Sequence, residues 1–334
     1  MESRIWINVT TSISWNGPVV GIVRTEQEIV RQFLKLYPEK VRLCEFASDG
    51  FYAVDVEDYK QVLDGNSFVR KAKKSQRNTE PKNVFSLSKN EFIQRLIKHK
   101  NNGDLLLHLI PKPLRKYAKR FGLSFNKNLQ KQQKNTKSIN MSIFERGDVF
   151  LTAGADWNCG MTQFLWDIKD KKGIKIVTLC YDLIPIKYPQ YTCPGIDFGF
   201  KEFILESSQV SDVMLTISSC SETDLKKYLS FTGSNIPYIK KIELGSYKPN
   251  KSQGEVRAAV GAIAEGDFIL YVSSVERRKN HEILYKAYHR LLEQGKTYLP
   301  KLVFVGMKGW YVEELINDIK LDPLTQEHIV MLGR

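Results

Sequence analysis

An uninterrupted apolar run, residues 268–272 (FILYV), empties into a loop with three consecutive cations, Arg277, Arg278 and Lys279, ahead of Asn280 and His281. Five apolar residues in a row predict a strand buried on both faces, the pattern of a parallel sheet covered by helices. Residues 282–288 (EILYKAY) then resume with helical spacing. This order of strand, turn and helix suits a phosphate. Arg278 and Lys279 supply charge, and the first N–H groups of the helix add the positive end of its dipole. Residues 301–305 (KLVFV) predict a second strand, after which Gly306 and Gly309 would let another stretch of backbone approach the same ligand. Taken alone, the cationic tripeptide could also be an exposed basic turn with no ligand.

The same grammar recurs upstream. Residues 4–9 (RIWINV) predict the first strand, and residues 10–21 a loop with Gly17, Pro18 and Gly21. Residues 22–36 predict a helix with an apolar stripe of Ile22, Val23, Ile29, Val30, Phe33 and Leu34. Further strands are expected at 148–152, 174–181, 212–218 and 240–246, the last leading through a linker towards Phe268. Ser221 is the expected N-cap of the helix after 212–218. Open α/β sheets bind ligands at the carboxyl ends of their strands, which draws attention to Gly154, Asp156 and Trp157 after one strand and Asp182 after the next. A carboxylate beside an indole suits sugars, because acids bind hydroxyls and aromatic faces stack on pyranose C–H surfaces. An N-cap Asp with a packed Trp is the alternative there, as an N-cap is for Asp182 and an ion pair with Glu28 is for Arg24.

At 334 residues the chain is long enough for two domains, expected at 1–247 and 248–334. No leader pattern and no apolar stretch near a membrane span's length is read, so a cytoplasmic location is expected. The five cysteines show no C-x-x-C pair and are expected to be reduced thiols. Charge is unevenly distributed. Residues 70–137 hold nineteen Lys and Arg against three acids, a net +16, which leaves −3 for the rest of a chain whose total is +13. Within this basic insertion, at about 66–142, Leu114, Tyr117, Ala118 and Phe121 fall on one face of a short cationic helix, and residues 126–140 are almost wholly polar. An anionic membrane surface, a nucleic acid and a solvated loop are the three readings. Nucleic acid is disfavoured because aromatics are not interleaved with the cations.

The stretch from Glu276 through His281 resembles the "E-P-R-K-N-H" loop of retaining glycosyltransferases of family four, which have the two-Rossmann-domain GT-B fold. Asn8 through Glu26, including Gly17, Gly21 and Arg24, is similar to the opening of a bacterial polysaccharide and O-antigen branch of that family, with Asn8 where Asp is usual. Gly154, Asp156 and Trp157 match its "G-x-D-W-D", and residues 181–185 (YDLIP) match its "H/Y-D-L-I-P". Ser218 matches the serine of "V-S-E-x-T-x-x-D-L". The resemblance implies an α/β, GT-B chain whose second Rossmann-like domain is incomplete, since a further acid pair of the donor domain falls beyond Arg334.

It also implies roles. Arg278, Lys279, Gly21 and Ser218 would meet the donor phosphates, Asp182 would face the donor sugar, and Arg24, Asp156, Trp157 and Tyr181 would serve the acceptor or sugar. Partners would be a nucleotide-diphosphate sugar, a lipid-linked or polysaccharide acceptor and an anionic membrane at the inner face of the plasma membrane. No D-x-D pair precedes a suitable strand, so no metal and no cofactor are expected. A non-catalytic binding or membrane-scaffold subunit is the other reading. A different phosphate-handling enzyme lacks a full G-x-G-x-x-G or P-loop pattern.

Overall fold

A computed structural model describes residues 3–333 apart from 18, 48, 67, 69–142, 194, 247–262, 264 and 265. The predicted cationic helix and polar tract therefore lie outside the described residues. The chain divides into two units, Met1–Lys187 with Asp197–Gly245, and Tyr188–Ile196 with Ser246–Arg334. Residues 188–196, which the sequence reading assigned to the first domain, group with the second unit. All five cysteines are free.

The first unit is built on a seven-stranded sheet. Its strands are β1 (Ile5–Asn8), β2 (Val41–Ala47), β3 (Gly50–Val54), β4 (Val149–Thr152), β5 (Lys175–Cys180), β6 (Val213–Thr216) and β7 (Tyr238–Lys241). They lie in the order β3-β2-β1-β4-β5-β6-β7, all parallel except β3, which runs antiparallel to β2. Helices α1 (Thr10–Ser14), α2 (Gly21–Leu36), α3 (Val56–Leu63), α4 (Met161–Lys172), α5 (Ile184–Lys187), α6 (Ile196–Val210) and α7 (Ser219–Thr232) connect them. Both sheet faces are covered. Ile7, Val9, Leu43 and Tyr59 are buried in one cluster, while Trp6, Phe51, Phe144 and Phe150 fill another. The order of strands reverses between β1 and β4, and such a reversal opens a crevice at the carboxyl ends of the two strands.

Local chemistry sets the helix ends. Asp55 caps α3 by accepting from the amides of Glu57 (2.8 Å) and Asp58 (3.1 Å), and α4 stops at Gly173 with φ 66°. Three expectations are corrected. The N-cap of α7 is Ser218, whose hydroxyl accepts from the Ser221 amide at 3.0 Å, while Ser221 donates to the Tyr181 carbonyl at 2.7 Å. The last strand of the unit sits at Tyr238–Lys241 rather than 240–246, because its partner β6 ends at Thr216, opposite Lys241, where the chain turns into the Ser218 cap. Residues 10–14, expected as loop, form α1.

The second unit holds β8 (Phe268–Val272), a 3-10 turn (Arg277–Lys279), α8 (His281–Glu293), β9 (Lys301–Val305), α9 (Glu313–Leu321) and β10 (Ile329–Leu332). Its three strands are parallel, in the order β10-β9-β8. Tyr288, Leu302, Phe304, Ile319 and Ile329 form its core. The strand at 268–272 is present, but it is not buried on both faces: Phe268, Ile269, Leu270 and Val272 are 46%, 48%, 53% and 66% exposed. Among the described strands β8 pairs only with β9, and Tyr271 alone is half-buried, packed on Phe304 and His281. Among the described residues, no helix is long and apolar enough to cross a membrane.

Candidate functional site

The reversal between β1 and β4 gathers a buried polar network. Asn8, the last residue of β1, is fully buried and donates from its carboxamide nitrogen to Thr152 Oγ1 and to Asp156 Oδ1, each at 3.1 Å. Its carbonyl oxygen accepts from the Thr10 amide at 3.3 Å and the Thr10 hydroxyl at 2.5 Å, which begins α1. Thr152, at the end of β4, donates to the other Asp156 oxygen. Burial pushes Asp156 up to about 6, with the bonds from Thr152, the Gly154 backbone and Asn8 holding it down in part.

Glu26 lies under the same loop from the α2 side. It accepts from the Ser12 amide at 2.8 Å and from the Ser12 hydroxyl, and Ser12 Oγ meets Tyr59 Oη at 2.6 Å. Burial drives Glu26 up to about 8; the Ser12 bonds oppose that rise and the charge of Asp156 adds to it. Of the two acids, Glu26 therefore holds its proton to the higher pH. Gly154 is required between them. A Cβ there would stand 2.1 Å from Thr11 Oγ1 and 2.5 Å from Glu26 Oε2. Thr11 Oγ1 also accepts from the Ala155 amide at 2.8 Å, tying α1 to the loop after β4.

The expected site residues of the first unit divide between this network and its rim. Asp156 is inside it, facing Asn8 and Thr152 rather than solvent. Trp157 is half-buried, edge-on to Phe200 at 5.5 Å, and Tyr181 donates to the Ala153 carbonyl at 2.6 Å. Asp182 is half-buried and accepts from the Ile184 amide at 2.9 Å with one oxygen, in the turn that leads into α5. Gly21 and Arg24 are exposed on the first turn of α2, and Glu28 pairs with Arg31 at 3.7 Å. Ser218 is occupied as a helix cap. Glu26, Ser12 and Tyr59 lie outside the set expected from sequence. Their signal was available: Glu26 and Gln27 are polar residues at buried positions of an apolar stripe.

In the second unit the cationic turn follows β8 as expected. Arg278 Nε lies 2.8 Å from Glu276 Oε2, so its charge is already partnered. Lys279 is half-buried and makes no ion pair among the described residues, while its carbonyl accepts from Tyr271 Oη at 2.6 Å. His281 is buried against Phe304 and Tyr271 and is held below the usual imidazole range by that burial. The glycines expected to admit a ligand have another use. A Cβ on Gly306 would lie 2.0 Å from the Ser273 carbonyl oxygen, and one on Gly309 would lie 2.4 Å from Glu276 Cγ. The loops after β8 and β9 are joined there by Val275 N to Met307 O (2.8 Å) and Gly309 N to Val275 O (2.9 Å).

No family model matches the chain. Over 162 residues it is 22% identical to the serotype-specific mannosyltransferase WbdA of Escherichia coli, a match that takes in 46% of this chain and 20% of that protein. The matched stretch thus spans a small part of the relative. Among solved structures, TarM aligns with a TM-score of 0.37 at 10% identity, covering 56% of this chain and 32% of that one. UGT71G1 of Medicago truncatula, complexed with UDP-glucose, aligns with a TM-score of 0.36 at 10% identity, covering 99% and 72%.

Proposed function

We propose that this chain is a GT-B glycosyltransferase of bacterial surface-glycan synthesis, moving a hexosyl residue from a nucleotide-diphosphate donor to a lipid-linked or polysaccharide acceptor. The observation that carries the reading is the identity to a mannosyltransferase over 162 residues. Two α/β sheets, one parallel except for an edge strand and the other wholly parallel with a cationic turn after its strand β8, accord with it. Mannose is the first sugar to test, and retention in the manner of family four is part of the proposal.

In this reading Lys279 neutralises the charge that builds on the departing diphosphate, an interaction that strengthens as the glycosidic bond breaks. Arg278 is the lesser contributor, because Glu276 already engages it. Asp182 spends one oxygen on Ile184 and orients a donor hydroxyl with the other. No metal or cofactor takes part. The basic insertion holds the protein against an anionic membrane at its cytoplasmic face, where each Lys or Arg contributes about 1 kcal/mol.

Calorimetric titration with UDP, GDP and dTDP tests the donor assignment. One nucleotide binds saturably and Lys279→Ala loses it; absence of binding by the folded chain overturns the reading. Sedimentation with anionic and with neutral vesicles at physiological salt tests the membrane assignment, and equal partition into both defeats it.

A further inference from the structure

The backbone of Lys279 is held from both sides. Its amide donates to the Glu276 carbonyl at 2.9 Å, and its carbonyl accepts from the Tyr271 hydroxyl of β8 at 2.6 Å. The next residue, Asn280, is left-handed with φ 55° and ψ 42°, one of two non-glycine residues with positive φ among the described residues. An L side chain disfavours that conformation, which persists where the surroundings impose it. Here they do so through the Tyr271 bond before Asn280 and through His281 after it, the first residue of α8.

His281 is the anomaly. It is 1% exposed, with its ring centroid 4.7 Å from that of Tyr271 and 4.8 Å from that of Phe304, a place that packing alone would fill with leucine or phenylalanine. An imidazole brings two ring nitrogens that need partners. Nδ1 is buried without a hydrogen bond of good geometry, and Nε2 has Ser273 Oγ at 3.5 Å, a long contact. Burial lowers the proton affinity of the ring, the backbone and charge of Glu276 oppose that, and the charge of Lys279 adds to it, so the Lys279 ammonium is within electrostatic reach. What the imidazole has and a hydrocarbon lacks is reach to three points of the β8–α8 connection: Ser273 at its start, Glu276 in its middle and Lys279 near its end.

We propose that Tyr271 and His281 are positioning residues for Lys279. The tyrosine fixes the carbonyl of the lysine, and the imidazole holds the tyrosine ring and the two limbs of the connection, so that the ammonium meets an anion in one place. This rests on the reading of Lys279 as the group that neutralises the donor diphosphate, and adds to it the pair that sets where that charge stands.

Calorimetric titration of the whole chain with UDP, GDP and dTDP tests it, in the native protein, in Tyr271→Phe and in His281→Leu, each with and without Lys279→Ala. Tyr271→Phe keeps the ring and removes one hydrogen bond, and is expected to weaken the nucleotide that binds by about fivefold. His281→Leu keeps the site apolar, removes the imidazole, and is expected to weaken it by a similar factor. The double variants carry the decision. With Lys279 already replaced, neither change should weaken the residual binding further, because both act through that residue. A merely structural pair would lower the melting temperature and show no such coupling. Losses that add in full to that of Lys279→Ala, or an affinity unchanged in both single variants, overturn the proposal. Tyr271→Phe decides alone should His281→Leu fold poorly. The two readings fail differently: a native chain that binds a nucleotide, with both single variants unaffected, refutes the positioning pair alone, and one that binds none refutes the donor reading as well.

Discussion

Asn8 and Asp156 are joined by a 3.1 Å hydrogen bond across the junction where the strand order of the large sheet reverses. Burial opposes the charge of Asp156, and the Asn8 donor joins the bonds from Thr152 and the Gly154 backbone in favouring it.

Replacing that donor should be costly. Asn8→Asp would put a second carboxylate against Asp156 and remove the nitrogen that supports it. We expect a loss of about 2–4 kcal/mol at pH 7, measured by urea unfolding, recovered in part as pH falls and one acid is protonated.

Glu26 sets a pH dependence of stability. Its folded value of about 8 lies above the ordinary 4.5, so the folded state holds a proton that the unfolded chain releases. The favourable contribution is complete below about 4.5 and is lost as pH rises towards 8, beyond which the curve flattens. Glu26→Gln, which keeps an oxygen for Ser12 and carries no charge, should flatten this limb. Melting temperatures from pH 5 to 9 read it directly: a native chain that parallels the variant across the range would remove the claim.

Two glycines of the opening motifs should behave oppositely. Gly154→Ala forces a methyl against Thr11 and Glu26 and should cost about 1–3 kcal/mol. At Gly21 nothing lies within 4 Å of the added carbon, and Gly21→Ala should be neutral or stabilising by up to about 1 kcal/mol. Thermal melting of the pair checks both. A loss of nucleotide affinity in Gly21→Ala without loss of stability would give that glycine a ligand role.

The cations of the turn after β8 should also differ. Lys279→Ala should weaken nucleoside-diphosphate binding by about tenfold or more, and Arg278→Ala by less, since Glu276 competes for that guanidinium. Calorimetry on the two variants decides the order.

The strands were legible because apolar runs at 174–181 and 301–305 have few other uses, and both lie within a residue of where they were expected. Burial was not legible at β8. Its five apolar residues say strand, but whether a strand is covered depends on which neighbours flank it, and those are set by topology. The β2–β3 hairpin and α3 were not read at all, although Tyr59 of α3 reaches Ser12 in the network. At the site, the loops were located by motif, while the side chains that organise them were missed. Glu26 and Gln27 needed only the helical period of α2: both fall where the stripe calls for apolar residues.

The pairing of the loops after β8 and β9 alters what arrival of a ligand would require of the second unit. With Val275 clasped between Met307 and Gly309, and with no room for a side chain at Gly306, the backbone leading into the cationic turn is already fixed in one course. An anion meeting Lys279 there would find a receptor assembled in advance, and little of its binding energy would be consumed in ordering the chain around it.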